Sequence, residues 1–236
     1  MKDQYFGDVN DYRKYGLLRA LESVTGLSLG VCWLLTSDDG GTDGGFTDFL
    51  LQPGQWRRYD PPLYDELRRL LDPGTRRSVQ HVRTWSLIPG ARYYEAGLAD
   101  GSGRERYIDG ALDALQECPV VFFDPDNGVE VPSIRFGGRG SSKYIYWQEM
   151  EQAYRRGHTL VVYQHFAREK REQHIARLAE QFRQRLQAPM IASFRTPRVV
   201  FFLAVQSDHI DKFAGLHERV RETWGDQIRP CQHTCD

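Results

Sequence analysis

Asp124-Pro125-Asp126-Asn127-Gly128 follows directly on four apolar β-formers, Val120-Val121-Phe122-Phe123. Short apolar runs of this kind are buried strands, so Asp124 is expected at a strand end. Pro125 and Asn127-Gly128 then impose a tight turn that presents Asp126. Two carboxylates and an amide on one turn can orient an acceptor group, or they can hold a hard divalent cation. Turn formation by itself also accounts for the proline, the asparagine and the glycine.

Three other segments carry residues of chemical interest. Asp38 to Gly45 holds Asp38, Asp39 and Asp43 with Gly40, Gly41, Gly44 and Gly45, a composition that lets backbone approach a ligand or lets acids reach a ribose or a cation. A solvated loop has the same composition. Gln164-His165-Phe166 ends another apolar run, and His165 there is a candidate base, metal ligand or packing ring. Tyr5, Asp8, Asn10 and Asp11, followed by Arg13 and Lys14, give the first helix a polar start denser than capping needs. Arginine pairs occur at 57–58, 68–69, 76–77 and 155–156, and Trp56, Tyr59 and Trp85 lie among the first three, an interleaving able to grip phosphates and stack bases, although arginine on helices is more often a solvated face. Cys231, His233 and Cys235 form a single cluster of zinc-compatible residues, short of the four ligands a structural site needs.

The elements that must position these residues follow from periodicity. With Asp11 as N-cap, Leu17, Leu18, Leu21 and Val24 predict a helix over Tyr12–Val24 that Gly26 stops. Ser28–Leu35, Val120–Phe123, Thr159–Gln164 and Met190–Phe194 predict buried strands, with a shorter one at Tyr93-Tyr94. Arg104–Gln116, a segment capped by Ser141 or Ser142 and ending at Arg156, and Arg168–Leu186 predict helices. About 46–90 reads as a helical insertion broken by Pro53-Gly54 and Pro73-Gly74. Strand and helix alternate as in a parallel sheet covered on both faces. Thr196-Pro197-Arg198 is too short for a parallel crossover, so Val199–Val205 should pair antiparallel with the strand before it. Ligands in such sheets lie beyond the carboxyl ends of the strands, which here means the segments after Leu35, Phe123 and Gln164.

At 236 residues, 40% hydrophobic and 27% charged with a formal charge of −1, the chain is expected to fold as one α/β domain over residues 1–236. No global field selects or excludes nucleic acid. No apolar run approaches the ~20 residues of a membrane span, and no signal-like run opens the chain, so the expectation is a cytoplasmic protein without a membrane partner.

Gly7-Asp8-Val9-Asn10-Asp11-Tyr12-Arg13-Lys14-Tyr15 resembles the opening motif, Gly-Asn-x-x-Asp-x-x-Lys-His, of the bacterial 23S ribosomal RNA adenine-N6 methyltransferases of the J type. Phe123-Asp124-Pro125-Asp126-Asn127 is similar to that family's Asp-Pro-Pro-Tyr segment, with Asp126-Asn127 in place of Pro-Tyr, and Leu160–His165 to its later strand. The chain also resembles uncharacterised bacterial proteins that share the opening motif and the Asp-Pro-Asp-Asn-Gly segment. The resemblance implies a Rossmann-like, class I methyltransferase-like sheet with a C-terminal antiparallel strand, S-adenosylmethionine as cofactor and RNA or DNA as partner. Together with the composition of the loop after the first strand and of the polar helix start, it points to Asp124, Asp126, Asn127, Lys14 and His165 for catalysis and to Asp38, Asp39, Gly40, Gly41, Tyr5 and Asp8 for cofactor binding. Two alternatives stay open: a nuclease or phosphodiesterase holding Mg²⁺ or Mn²⁺ on Asp124, Asp126, Glu130 and Asp38, and a non-catalytic binding protein of the same fold.

Overall fold

Asp8, three residues before the expected cap, begins the first helix. In the computed structural model, which describes residues 1–38, 40–41, 44–71 and 75–233, α1 spans Val9–Thr25 and the Asp8 carboxylate accepts from the Asn10 and Asp11 amides. Asp11 does not cap because its carboxylate is turned inward, where it accepts from Gly7 N–H, Tyr15 Oη and Lys14 Nζ. Gly26 closes the helix at φ 62°, as its position predicts.

β1 (Leu29–Cys32) is shorter than the apolar run that contains it, and the chain leaves the sheet after Cys32. The insertion that follows is helical: a 3₁₀ turn at Asp48–Leu51, then α2 (Pro53–Trp56), α3 (Pro61–Leu70) and α4 (Gln80–Thr84). Leu63, Leu67 and Leu70 of α3 bury one stripe in the core that α1 shares. Next come β2 (Arg92–Tyr94), α5 (Arg104–Ala114), β3 (Val120–Phe123), and the short parallel pair β4 (Gly128–Val129) and β5 (Tyr144–Ile145). Helix α6 (Trp147–Arg155) starts later than a serine cap predicts. Ser141–Lys143 forms a 3₁₀ turn instead, and the Glu149 carboxylate accepts from the Tyr146 amide at the helix start. The chain ends with β6 (Thr159–His165), α7 (Arg171–Leu186), β7 (Met190–Arg195), β8 (Val199–Val205), α8 (Leu216–Trp224) and β9 (Arg229–His233).

The main sheet has the order β2-β1-β3-β6-β8-β7-β9. β2, β1, β3 and β6 are parallel neighbours, while β8 lies antiparallel between β6 and β7. β7 therefore runs with the parallel set, and the expected hairpin partner of β8 is in place. β9, a polar segment with no strand periodicity, adds an antiparallel edge beside β7, where Pro230 is tolerated because an edge strand need not donate on both sides.

Alternation along each strand splits the core. Val31, Trp33, Val120, Phe122, Val161 and Phe201 face the layer of α1, α3 and α8, and Cys32, Val121, Phe123, Val162 and Phe202 face that of α5, α6 and α7, as a period of two requires. The result is an α/β sheet covered on both faces, consistent with a Rossmann-like fold. From β1 the chain passes to β2 on one side and then returns to β3 on the other, so the crevice beyond the ends of β1 and β3 is a topological switch point. Among the described residues no helix is long and apolar enough to cross a membrane.

Candidate functional site

Where β3 ends, the Asp124 amide still donates to Cys32 O across the sheet, and its carboxylate swings to Lys14, 2.7 Å from Nζ. Lys14 reaches Asp11 Oδ1 at 2.9 Å as well, so one ammonium serves two carboxylates, each only 3% exposed. Rings of Tyr163, Trp33 and Tyr15 surround it at 5.2–5.9 Å from their centroids. Burial pulls the Lys14 pKa down, and Asp11 and Asp124 more than reverse that pull, leaving it above the ordinary lysine value. Burial raises the Asp8 pKa from 3.8 to about 6, with Asp11 adding to the shift.

Residue 1 lies across the switch point. The Met1 amino group donates to Trp33 O, Leu34 O and Asp124 O at 3.0–3.3 Å, and Met1 O accepts from the Thr36 amide. It also stands 2.7 Å from Asp126 Oδ1, an ion-pair distance without hydrogen-bond alignment. Thr36 Oγ1 donates to Asp126 Oδ2 at 2.9 Å.

The turn after Asp126 is held by backbone. Asn127 N–H donates to Lys143 O, and Asn127 O accepts from the His165 amide. Gly128 sits at φ 117°, and a Cβ there would meet Gln164 Oε1 at 2.3 Å. That same oxygen accepts from Val129 N–H at 2.7 Å. Gly128→Ala is therefore expected to lose about 2 kcal/mol of stability through the strained backbone and the displaced glutamine, read as a lower urea midpoint with an unchanged slope. An unaltered midpoint contradicts the packing described.

These elements enclose a cavity of about 510 Å³ lined by residues from α1, from the turn after β3, from the end of β6 and from the β7–β8 turn. That volume suits a ligand of nucleoside size. Of the residues singled out from sequence, Asp124, Asp126, Asn127, Lys14, His165, Tyr5 and Asp8 line it. His165 is exposed, with Nε2 3.2 Å from Tyr163 Oη. Asp38 instead accepts from the Gln4 amide, and Asp38, Gly40 and Gly41 are exposed and outside the cavity wall. Among the described residues of that loop, Gly44 reaches the wall, and Asp39 lies outside the described residues.

Glu130 does not join the site: its carboxylate accepts from the Trp147 amide at the start of α6. Of the four acids proposed for a divalent cation, Asp124 and Asp126 therefore share the cavity, and each is already matched by a cation of the chain itself. Among the described residues no group of three or more His, Cys, Asp or Glu is arranged to hold a metal. His233 lies in β9 beside Ser193, and Cys235 falls outside the described residues.

The arginine pairs also lie off the site. Arg57, Arg58, Arg69 and Arg156 ion-pair with Asp65, Asp226, Glu66, and Asp109 and Asp113 on the surface. The arginines that do reach the cavity, Arg171 and Arg198, were hidden in sequence, one in a charged helix and the other in a turn. Phe46, read as the start of the insertion, also lines it. No family model, curated protein or solved structure matches the chain.

Proposed function

We propose that the protein is a nucleic-acid-binding protein of methyltransferase-like fold that takes an unpaired, amino-bearing base into this cavity. The observation that carries the reading is Asn127: half-buried in the wall, its side-chain amide makes no hydrogen bond among the described residues. An amide offers one donor side and one acceptor side, which matches the amino group and adjacent ring nitrogen of adenine or cytosine. Tyr5, Phe46 and Phe166 supply ring faces for the base. Asp8, Asp11, Asp124 and Asp126 face it with acid, only partly offset by Lys14 and the Met1 amino group, so the floor attracts N–H donors and repels carbonyl oxygens.

Titration calorimetry with nucleosides tests this. Adenosine or cytidine should bind at least about tenfold tighter than uridine, and Asn127→Ala should lose about 1–3 kcal/mol of that affinity. Uridine binding as well as both amino-bearing nucleosides overturns the reading.

A second reading, methyl transfer from S-adenosylmethionine to the base amino group, is favoured by the sheet order, since an antiparallel strand inserted before the last parallel one is the arrangement of class I methyltransferases. The Met1 amino group lies against the ends of β1 and β3, and the roles assigned to the chain's own residues are to bind and orient the base. Heat on titration with S-adenosylhomocysteine would support this second reading; its absence at millimolar ligand leaves the binding protein.

A further inference from the structure

We infer that Arg171 and Arg198 form a clamp at the cavity mouth that takes the phosphates of a single nucleic-acid strand on either side of the inserted base. The inference rests on the base-binding reading and extends it from a nucleoside to a strand. Both arginines line the cavity and both are exposed. They come from separate elements, Arg171 from the first turn of α7 and Arg198 from the turn between β7 and β8.

Their partners set them apart from the surface arginines. Arg198 lies over the Phe46 ring at 3.9 Å and Arg171 over the Phe166 ring at 5.1 Å, and neither makes an ion pair among the described residues. A guanidinium on an aromatic face is held in plane while its edge N–H groups stay open, the geometry that receives a phosphate in two parallel bonds. Behind them Arg13, 6% exposed, is bonded to the neutral Gln227 amide. It lies near enough for the Arg198 charge to help lower its pKa, chiefly reduced by burial, to about 10.

Charge then fixes which end of a nucleotide goes where. Four carboxylates line the floor and repel phosphate, whereas the two guanidinium groups of the mouth make no ion pair among the described residues, Glu172 feeling the Arg171 charge only at longer range. The base descends and the backbone stays at the rim. Two separated guanidinium groups suit two successive phosphates better than the single group of a free nucleotide, and an unpaired strand delivers its base without the unpairing that a duplex demands.

The test is fluorescence anisotropy with a short labelled pyrimidine strand carrying one central adenine, in RNA and DNA forms, over a range of salt, beside adenosine and adenosine monophosphate as competitors. Two phosphate contacts predict a slope of log K on log salt near about −1.4, and Arg171→Gln or Arg198→Gln should each remove about 0.7 of it. Each substitution should also weaken the strand by about tenfold, the effect of losing one good charge-assisted contact, with adenosine losing far less. Adenosine binding together with an unchanged strand affinity and slope in both variants overturns the clamp and leaves the base-binding reading standing. Adenosine monophosphate competing as tightly as the strand assigns the mouth to a free nucleotide and also overturns it. Silence from adenosine and strand alike removes both.

Discussion

Lys14→Met is expected to lower stability by about 3–5 kcal/mol, the usual consequence of removing the cation from a buried ion pair. Methionine matches the stem in length, and the surroundings of Trp33, Tyr15 and Tyr163 accept it. What it does not supply is charge: Asp11 and Asp124 each lose the nitrogen now at 2.9 and 2.7 Å. Burial already raises the Asp124 pKa against the pull of Lys14, so without the ammonium that carboxylate binds a proton more readily folded than unfolded, and the deficit should shrink as pH falls from 8 towards 4. Urea denaturation at both ends of that range reads the loss directly. Adding Asp124→Asn should recover part of it, with a coupling of at least about 1 kcal/mol. A neutral-pH loss below about 1 kcal/mol means the ammonium is not the keystone described.

The strands and the lid of helices were legible because burial dictates their patterns. Val120–Phe123 and Leu160–Tyr163 are apolar throughout since both faces are covered. The hairpin at Thr196-Pro197-Arg198 follows from a chain too short to cross over. β9 was not legible: its five residues alternate nothing, and its pairing with β7 is decided by where α8 delivers the chain. The same division holds at the site. The acids after β3 declared themselves by position, but the roles of Asp8 and Asp11 were exchanged, because capping preference ranks the two equally and only tertiary contact with Lys14 and Tyr15 separates them. Glu130 sits six residues beyond Asp124 in sequence and turns away with β4 to meet α6. Arg171 and Arg198 could not be told from other arginines without knowing which had carboxylates beside them.

Asp8→Asn should stabilise the protein above pH 7 while weakening it as a binder of amino-bearing bases. Asparagine caps a helix as well as aspartate does, so the bonds to Asn10 and Asp11 can persist. Only the charge is lost, and that charge is unfavourable where it stands: burial first, then Asp11, lifts the Asp8 pKa from 3.8 to about 6. A raised carboxylate pKa means the folded state binds the proton more tightly. The group's contribution is therefore complete below pH 4 and disappears as pH climbs through 6. A shift of this size corresponds to at most about 3 kcal/mol, and the lost helix-terminus interaction returns up to about 1 of it, so a net gain of about 1–2 kcal/mol is expected at pH 7.5. Wild-type stability should fall between pH 4.5 and 7.5 relative to the variant, and parallel curves for the two would refute the assignment. Adenosine affinity should move the opposite way, about two- to tenfold weaker in the variant at pH 7.5, since one of four floor charges is gone. Opposed movement of the two readouts marks an acid retained against the fold's own interest. A capping role alone moves neither in that direction.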